Sequence, residues 1–185
     1  MIKNVVSICL PVAEKAVIRK NRILPAGLSE KEAESRHLPR ICVVTGTHGD
    51  ELEGQYVCFR LNRILAENPQ FVSGIVDIYP AVNPLGIDSI TRGIPRFDLD
   101  MNRIFPGDAK GTTEEVIAAK IISDMKGAAC AVDIHASNIF LREIPQVRVN
   151  INTAEKLLPL AKEPFTDSIN CSTVANTIAF SIPVF

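Results

Sequence analysis

The chain has 185 residues, of which 46% are hydrophobic and 22% charged, enough apolar material for the core of a single globular domain over residues 1–185. The formal net charge is −1, and the basic residues form no stripe with interleaved aromatics, which excludes nucleic acid as an expected partner. No run approaches the roughly 18 apolar residues of a membrane helix, so no membrane partner is expected.

The first predicted element is a β-strand over residues 3–10. The apolar run at residues 5–13 also resembles a short signal peptide, but Pro11 interrupts it and a strand is the better interpretation. The five cysteines are odd in number and include no C-x-x-C pair, which favours reduced thiols in a cytoplasmic protein over a disulfide framework.

A charged segment follows at residues 19–40, with the sequence RKNRILPAGLSEKEAESRHLPR. Many charges together with Pro25, Gly27 and Pro39 are typical of irregular surface structure. We therefore predict a solvated excursion from the fold, in which His37 is an exposed surface residue.

Three more buried strands are predicted from short apolar, β-branched runs at residues 41–45, 75–79 and 129–134. Helical patterns lie between them. This alternation predicts an α/β fold with a mixed, largely parallel sheet flanked by helices.

Two of the predicted helices have clear signals. Residues 53–67 place their apolar side chains on one helical face. Residues 113–126 follow Thr112, and Glu115 stands at the spacing of a capping box. A third, short helix is predicted over residues 172–180.

Three candidate metal ligands follow predicted strands, at the sheet edge where α/β proteins bind ligands. His48 and Glu51 follow strand 41–45 in GTHGDELEG, and His135 follows strand 129–134 in AVDIHAS. Two imidazoles and a carboxylate form a catalytic zinc set that leaves a coordination position open. A lone H-x-x-E is a weak signal, and a histidine at a strand end is more often an ordinary core or surface residue. The joint pattern predicts one zinc ion.

Asp133 is a candidate supporting residue for this site. It lies two positions before His135, so the two side chains point to the same side of the strand. A carboxylate placed in this way can orient a metal-binding imidazole. The alternative is an ordinary hydrogen-bonded aspartate in a strand.

A polar loop at residues 92–107, RGIPRFDLDMNRIFPG, has the side chains of an anion site. Its candidate binding residues are Arg92, Arg96, Asn102 and Arg103. Arginine presents a planar fork that matches carboxylates, and asparagine adds donors and an acceptor, which indicates a small anionic substrate. The alternative is a loop held by ion pairs with Asp98 and Asp100.

Four motifs resemble, in order, those of the succinylglutamate desuccinylase/aspartoacylase family: GTHGDELEG, NPLG, DMNRIFPG and DIHAS. The resemblance runs from about residue 41 to residue 137. It implies a zinc carboxypeptidase-like fold and a zinc-dependent deacylase or amidohydrolase. The implied substrate is an N-acyl amino acid or a related small carboxylate, whose amide bond is hydrolysed by a metal-activated water.

The resemblance also implies roles for individual residues. His48, Glu51 and His135 match the family's zinc ligands, and Asp100 would hold its loop or support a ligand.

The substrate residues are carried over in the same way. Asn102 and Arg103 would bind the substrate's carboxylate. Arg92 would contact the substrate and stabilise the oxyanion, with Arg96 as the alternative.

The chain departs from the family pattern at its C-terminus. The family's general base is a glutamate on a strand that reads roughly GIPVFTVE, and SIPVF at residues 181–185 matches only the start. The expected glutamate falls just beyond Phe185, and neither Glu143 nor Glu155 matches the motif. We therefore expect a C-terminally truncated chain that lacks the general-base strand and the family's C-terminal β-rich region.

Two further functions stay open beside the zinc deacylase. One is a carboxypeptidase-like metallopeptidase that cleaves C-terminal residues from peptides. The other is a non-catalytic protein that binds zinc and a ligand, because the general base is not in this sequence. Neither the acyl group nor the oligomeric state is indicated.

Overall fold

A mixed sheet of seven strands is the frame of the part of the chain that the computed structural model describes, which is residues 1–9, 11–95, 98–137, 146–149, 154–156, 159 and 177–181. The strands are β1 (Ile2–Cys9), β2 (Lys15–Ile23), β3 (Arg40–Thr45), β4 (Ile75–Tyr79), β5 (Cys130–His135), β6 (Gln146–Val149) and β7 (Thr177–Ser181). The four strands predicted from the sequence are confirmed as β1, β3, β4 and β5.

The strand order is β1-β2-β4-β3-β5-β7-β6. The central strands β4, β3 and β5 pair in parallel, as do β6 and β7, whereas the other three ladders are antiparallel. The prediction of a mixed sheet is confirmed, and its parallel pairing is concentrated at the centre. Since β3 and β5 run side by side in one direction, their carboxyl ends meet at the same edge.

Helices cover both faces of the sheet. They are α1 (Glu30–Ser35), α2 (Glu53–Glu67), α3 (Pro84–Ser89), α4 (Met101–Ile104) and α5 (Thr113–Met125). The helix α2 packs on the face that carries Val43, Ile78 and Ile134. The helix α5 packs on the opposite face, against a core that includes Val44 and Tyr79.

The two well-signalled helices are confirmed as α2 and α5. The predicted capping box is formed, since the Thr112 hydroxyl accepts from the Glu115 amide and the Glu115 carboxylate accepts from the Thr112 amide. No helix in the described part of the chain is long and apolar enough to cross a bilayer. The four cysteines that the structure describes are free thiols: Cys9, Cys42, Cys58 and Cys130.

The predicted solvated excursion at residues 19–40 is wrong for its first part, whereas α1 is a mostly exposed helix. Residues 19–23 complete β2, an interior strand of the sheet between β1 and β4. Lys20 and Arg22 are only 3% and 6% exposed, although charged residues at these positions indicated solvent. His37 is exposed, as predicted.

These two cations are buried because carboxylates from distant elements lie against them. Asp77 of β4 accepts from Arg22 Nε and Nη2 at 2.7 Å each and from Lys20 Nζ at 3.1 Å. Asp124 of α5 accepts from Lys20 and from the Tyr79 hydroxyl, both at 2.6 Å. We call these five residues the buried ion cluster. It joins the β1–β2 hairpin to the centre of the sheet and to α5.

The helix predicted over residues 172–180 is wrong where the structure describes it. Residues 177–181 form β7, which pairs antiparallel with β5. The hydrogen-bonding edge of β5 satisfies this backbone, a tertiary interaction that local sequence does not report. Residues 172–176 lie outside the described part of the chain.

The turn after β3 is held against α3 by an unusually close backbone contact. A Cβ atom built on Gly49 would lie 1.9 Å from the carbonyl carbon of Gly86. Hydrogen bonds flank this contact, from the Asn83 amide to the Gly46 carbonyl at 2.9 Å and from the Gly49 amide to the Thr91 carbonyl at 3.0 Å. Gly49 is therefore required, because any side chain there would clash with the Gly86 backbone. Gly86, the glycine of NPLG, is required for a separate reason, since its own Cβ would lie 2.3 Å from Asn83 Nδ2.

Replacing Asp77 with asparagine should lower the free energy of unfolding by about 3–5 kcal/mol, since the buried cations of Lys20 and Arg22 lose their shared counter-charge. Urea unfolding followed by circular dichroism measures this. The matched control is Glu67→Gln, which breaks an exposed pair with Arg63 and should cost less than about 1 kcal/mol. An equal loss of unfolding free energy in the two variants would show that the buried ion cluster stabilises the fold no more than an exposed ion pair does.

The Asp77 effect should depend on pH. Burial alone would raise the pKa of Asp77, but hydrogen bonds from Arg22 and the charge of Lys20 outweigh burial and hold the pKa below its usual value. A carboxylate with a lowered folded pKa contributes stability above its unfolded pKa of about 3.9 and loses it as the pH falls through the folded value. The difference between wild type and Asp77→Asn should therefore be full at pH 7 and shrink in acid. A constant difference would contradict this assignment.

Substituting alanine for Gly49 should cost about 1–3 kcal/mol, because the added methyl group forces the turn and α3 apart. Gly27→Ala is the control: nothing lies within 4 Å of its Cβ, and it carries only the cost of a positive φ. Amide and imidazole NMR spectra should show shifts at His48 for Gly49→Ala and none there for Gly27→Ala. An unperturbed His48 in Gly49→Ala would mean that the contact does not position the turn.

Candidate metal centre

The three predicted ligands meet at the carboxyl edge of the central strands. Gly46, at φ +71°, turns the chain after β3, and His48 and Glu51 lie in the following loop before α2. His135 is the last residue of β5. The pairing of Thr45 with Ile134 in the parallel ladder brings these two chain ends side by side.

The carboxylate of Glu51 lies between the two imidazoles. Its Oε1 is 2.6 Å from Nδ1 of His48, and its Oε2 is 2.9 Å from Nδ1 of His135. Potential ligand atoms of the three residues all lie within 4.8 Å of one another. His48 and Glu51 are buried, at 3% and 5% exposure, so both Nδ1 atoms converge on one sheltered point.

The opposite nitrogen of each imidazole contacts an aspartate. His48 Nε2 is 3.1 Å from Oδ1 of Asp100, and His135 Nε2 is 2.9 Å from Oδ2 of Asp133. In a neutral imidazole that donates its Nε2–H to the aspartate, Nδ1 carries a lone pair, which can bind a metal in place of the hydrogen bond to Glu51. Metal-binding histidines are typically held in this way. Asp133 and His135 share one side of β5, as their spacing predicted.

The charges of the site are strongly coupled. Burial acts to raise the pKa of Glu51, but hydrogen bonds from His135 and His48 and from the Ala136 amide lower it to about 2. Burial acts to lower the pKa of His135, but hydrogen bonds to Asp133 and Glu51 raise it to about 10. These carboxylates favour a cation at the point where the Nδ1 atoms converge. Two imidazole nitrogens and a carboxylate are donors that suit zinc, so the residues fit this ion.

The loop at residues 92–107 delivers Arg92 and Asn102 to the same site. Arg92 reaches Glu51 Oε1 at 3.4 Å and Asp100 Oδ2 at 3.3 Å, while its side chain stays 48% exposed. The side-chain amide nitrogen of Asn102 is 3.3 Å from His48 Nε2. Asp100 also caps α4, accepting from the Asn102 backbone amide at 3.0 Å. One carboxylate thus fixes the loop and supports an imidazole, the two roles that the resemblance left open for it.

One of the candidate substrate residues, Arg103, is not brought into the cluster. The Arg103 side chain is 87% exposed and is 3.8 Å from Asp100 at its nearest. It lies at the rim of the site. Arg96 lies outside the described residues. The ion pairs of Arg92 and Arg103 with Asp100 agree with the alternative interpretation of the loop, and they leave the substrate roles as predictions.

Sequence reasoning missed the backbone groups of the site. The Ala136 amide donates to Glu51 Oε2 at 2.9 Å, and backbone donors carry no side-chain signature. It also assigned no role to NPLG, although this motif forms the start of α3, on which the metal-site turn packs. The glycine in that motif was the available signal.

Comparisons with known proteins agree on one family. Residues 37–163 match the family model of the succinylglutamate desuccinylase/aspartoacylase catalytic domain. The N-alpha-acetyl-L-2,4-diaminobutyric acid deacetylase of Halomonas elongata is 32% identical over 111 residues, which are 58% of this chain and 31% of that protein. The chain therefore spans about a third of this relative's length.

Solved structures share the fold. A succinylglutamate desuccinylase/aspartoacylase from Rhodobacter sphaeroides superposes with a TM-score of 0.70 at 22% identity, over 97% of this chain and 57% of that one. The product-bound ectoine utilization protein EutE (DoeB) from Ruegeria pomeroyi gives 0.72 at 18% identity, over 97% and 59%. The predicted fold class is confirmed. Since the family model also matches more than half of its residues, the chain belongs to the succinylglutamate desuccinylase/aspartoacylase family.

Proposed function

We propose that the protein is a zinc-dependent hydrolase that cleaves the amide bond of an N-acyl amino acid or a related small carboxylate. Membership of the family supports a hydrolase of the deacylase type. The observation that carries the zinc site is the arrangement of the two histidines. Both Nδ1 atoms face Glu51, and both Nε2 atoms face an aspartate.

His48, Glu51 and His135 would hold one zinc ion. When bound, zinc lowers the pKa of a water molecule and polarises a carbonyl. Asp100 and Asp133 keep both imidazoles in the tautomer and orientation that ligation requires. The close packing of Gly49 on Gly86 keeps the His48 turn in place during the reaction, so the chain contributes a rigid set of donors.

Arg92 is suited to stabilising negative charge on the substrate's carbonyl oxygen. Its guanidinium is placed by Glu51 and Asp100, and about half of the side chain remains open to the outside of the site. Preorganised positive charge of this kind stabilises an oxyanion in the transition state. Arg92 is therefore proposed as the residue that stabilises the oxyanion. Arg96 remains the alternative for this role.

Asn102 and Arg103 are proposed to bind the carboxylate of the substrate. The exposed Arg103 fork can approach a carboxylate with two parallel hydrogen bonds. Asn102 lies nearer to the imidazole of His48 and would contact the part of the substrate next to the scissile bond. The deacetylase relative acts, by its name, on an acetylated diamino acid, which supports the N-acyl amino acid class for this chain.

The general base stays a prediction. Glu51, Asp100 and Asp133 each contact a histidine of the cluster, so none of these described carboxylates is assigned as base. Residues 1–185 would belong to one catalytic domain, and the free thiols of the described cysteines are consistent with the proposed cytoplasmic location.

Replacing His48 with alanine should reduce bound zinc from about one ion per chain to a small fraction of that, since one of three donors is lost. Metal content by mass spectrometry after dialysis against trace chelator measures this. His37→Ala is the matched control, because His37 is exposed and is not one of the three residues of the cluster. Undiminished zinc in His48→Ala would refute the assigned ligand set.

Turnover tests the reaction. The purified protein should release amine from N-acetyl-2,4-diaminobutyrate or N-succinylglutamate, leave a tripeptide intact, and lose activity to a chelator. Arg92→Met should lower kcat by on the order of a hundredfold, whereas Arg60→Met, on the exposed side of α2, should not change it.

Each other result identifies a different function. Cleavage of the tripeptide would favour the metallopeptidase. Stoichiometric zinc without turnover of any substrate would favour the non-catalytic binding protein.

A further inference from the structure

A cavity of about 830 Å³ lies behind the segment that contacts His48. Its described walls come from the β1–β2 hairpin, the start of α3, the first turns of α5 and three residues between these helices, Ile94, Leu99 and Met101. Sites for small molecules typically measure about 300–1,000 Å³, so the space suits a ligand. The metal-site residues His48, Glu51 and His135 do not line it.

The walls are mainly aliphatic. Ile8 and Ile18 line the cavity from the hairpin, Val82 from the start of α3, and Ile117 from α5. Among the described lining residues only Glu114 carries a charge, and there is no lysine, arginine or histidine. An anion would find no counter-charge among these described walls, whereas an uncharged apolar body would be well accommodated.

One buried polar group gives the cavity a directional element. Asn83 lines it and is only 3% exposed. Its Oδ1 accepts from the Gly86 amide at 3.0 Å, while its Nδ2 is 3.5 Å from the Thr47 carbonyl, at the limit of a hydrogen bond. The amide nitrogen carries two hydrogens and therefore retains capacity to donate to an acceptor.

The wall nearest the metal centre has two different sides. Leu99 and Met101 line the cavity, whereas Asp100 and Asn102, which alternate with them, contact Nε2 of His48. The segment at residues 99–102 therefore stands between the cavity and the metal centre and has residues in contact with each. A molecule in the cavity would lie against the back of the residues that hold His48.

We propose that this cavity is a second binding site, separate from the metal centre, for a small uncharged molecule with an aliphatic or aromatic body and one hydrogen-bond acceptor. Its apolar part lies among the aliphatic walls, and its acceptor accepts a hydrogen bond from the side-chain amide of Asn83. This site goes beyond the proposed hydrolase function and stands without it, since its walls include none of the zinc ligands.

Prodan, an uncharged naphthalene ketone whose emission shifts to the blue in apolar surroundings, is the probe. We expect saturable binding of one Prodan per chain. With methionine methyl groups labelled with ¹³C, the Met101 signal should shift on binding, and the signal of Met125, which does not line the cavity, should stay in place. No saturable binding, or an unshifted Met101 signal, would overturn the proposal without any variant.

Substitutions that fill the space from two strands test the location. Ala16→Phe on β2 and Cys9→Trp at the end of β1 should each weaken Prodan binding by on the order of tenfold or more, because the added rings occupy the cavity. Ala66→Phe, at an exposed position of α2, is the matched control and should bind as wild type. Circular dichroism melting curves identify any variant that does not fold.

His48→Ala separates this site from the metal centre. Prodan should bind this variant within about twofold of wild type, since His48 does not line the cavity. Loss of binding in His48→Ala, or wild-type affinity in folded Ala16→Phe and Cys9→Trp, would overturn the proposal.

Discussion

The carboxylate of Glu51, shared by two imidazoles, is the interaction on which the arrangement of the site depends. His48 approaches this carboxylate from the same loop after β3, and His135, the last residue of β5, approaches it from the other side. Both must arrive within hydrogen-bonding distance, which requires the parallel pairing of β3 with β5 and the tight packing of Gly49 on Gly86. The centre of the sheet is therefore built to bring two chain segments to one carboxylate, and Asp100 and Asp133 complete the arrangement from outside.

The parts of the fold that sequence predicted are those whose signals are local. The apolar, β-branched runs of β3, β4 and β5 are buried on both faces, and short central strands of this kind stand out in any sequence. The capping box at Thr112 and the one-sided pattern of α2 are equally local. The candidate ligands followed from position, because polar residues after buried strands lie at the same sheet edge. The structure places His48, Glu51 and His135 together there.

The parts that sequence did not predict depend on partners far along the chain. Lys20 and Arg22 indicated a solvated loop, because a charge in a sequence is assigned to solvent unless its counter-ion is known. Their counter-ions lie on other elements: Asp77 for both cations, Asp124 for Lys20, and Glu30 and Glu34 of α1 for Arg22. The helix predicted at residues 172–180 is wrong where β7 stands, because pairing with the distant edge of β5 decides the structure of this segment. The exposure of the Arg103 side chain is equally hard to predict, because the spacing of residues in the sequence does not determine it.

The buried ion cluster has a consequence for how the chain assembles. Charged side chains on an exposed strand edge discourage pairing with other chains, and Lys20 and Arg22 would have this effect wherever β2 is not yet paired with β4. Docking is favourable in one alignment, with Arg22 opposite Asp77. A slip of one residue would turn both cations to the opposite face of the sheet, away from their carboxylates. The charges that make β2 hard to recognise in the sequence therefore favour its native alignment, because any other alignment would separate Lys20 and Arg22 from their carboxylates.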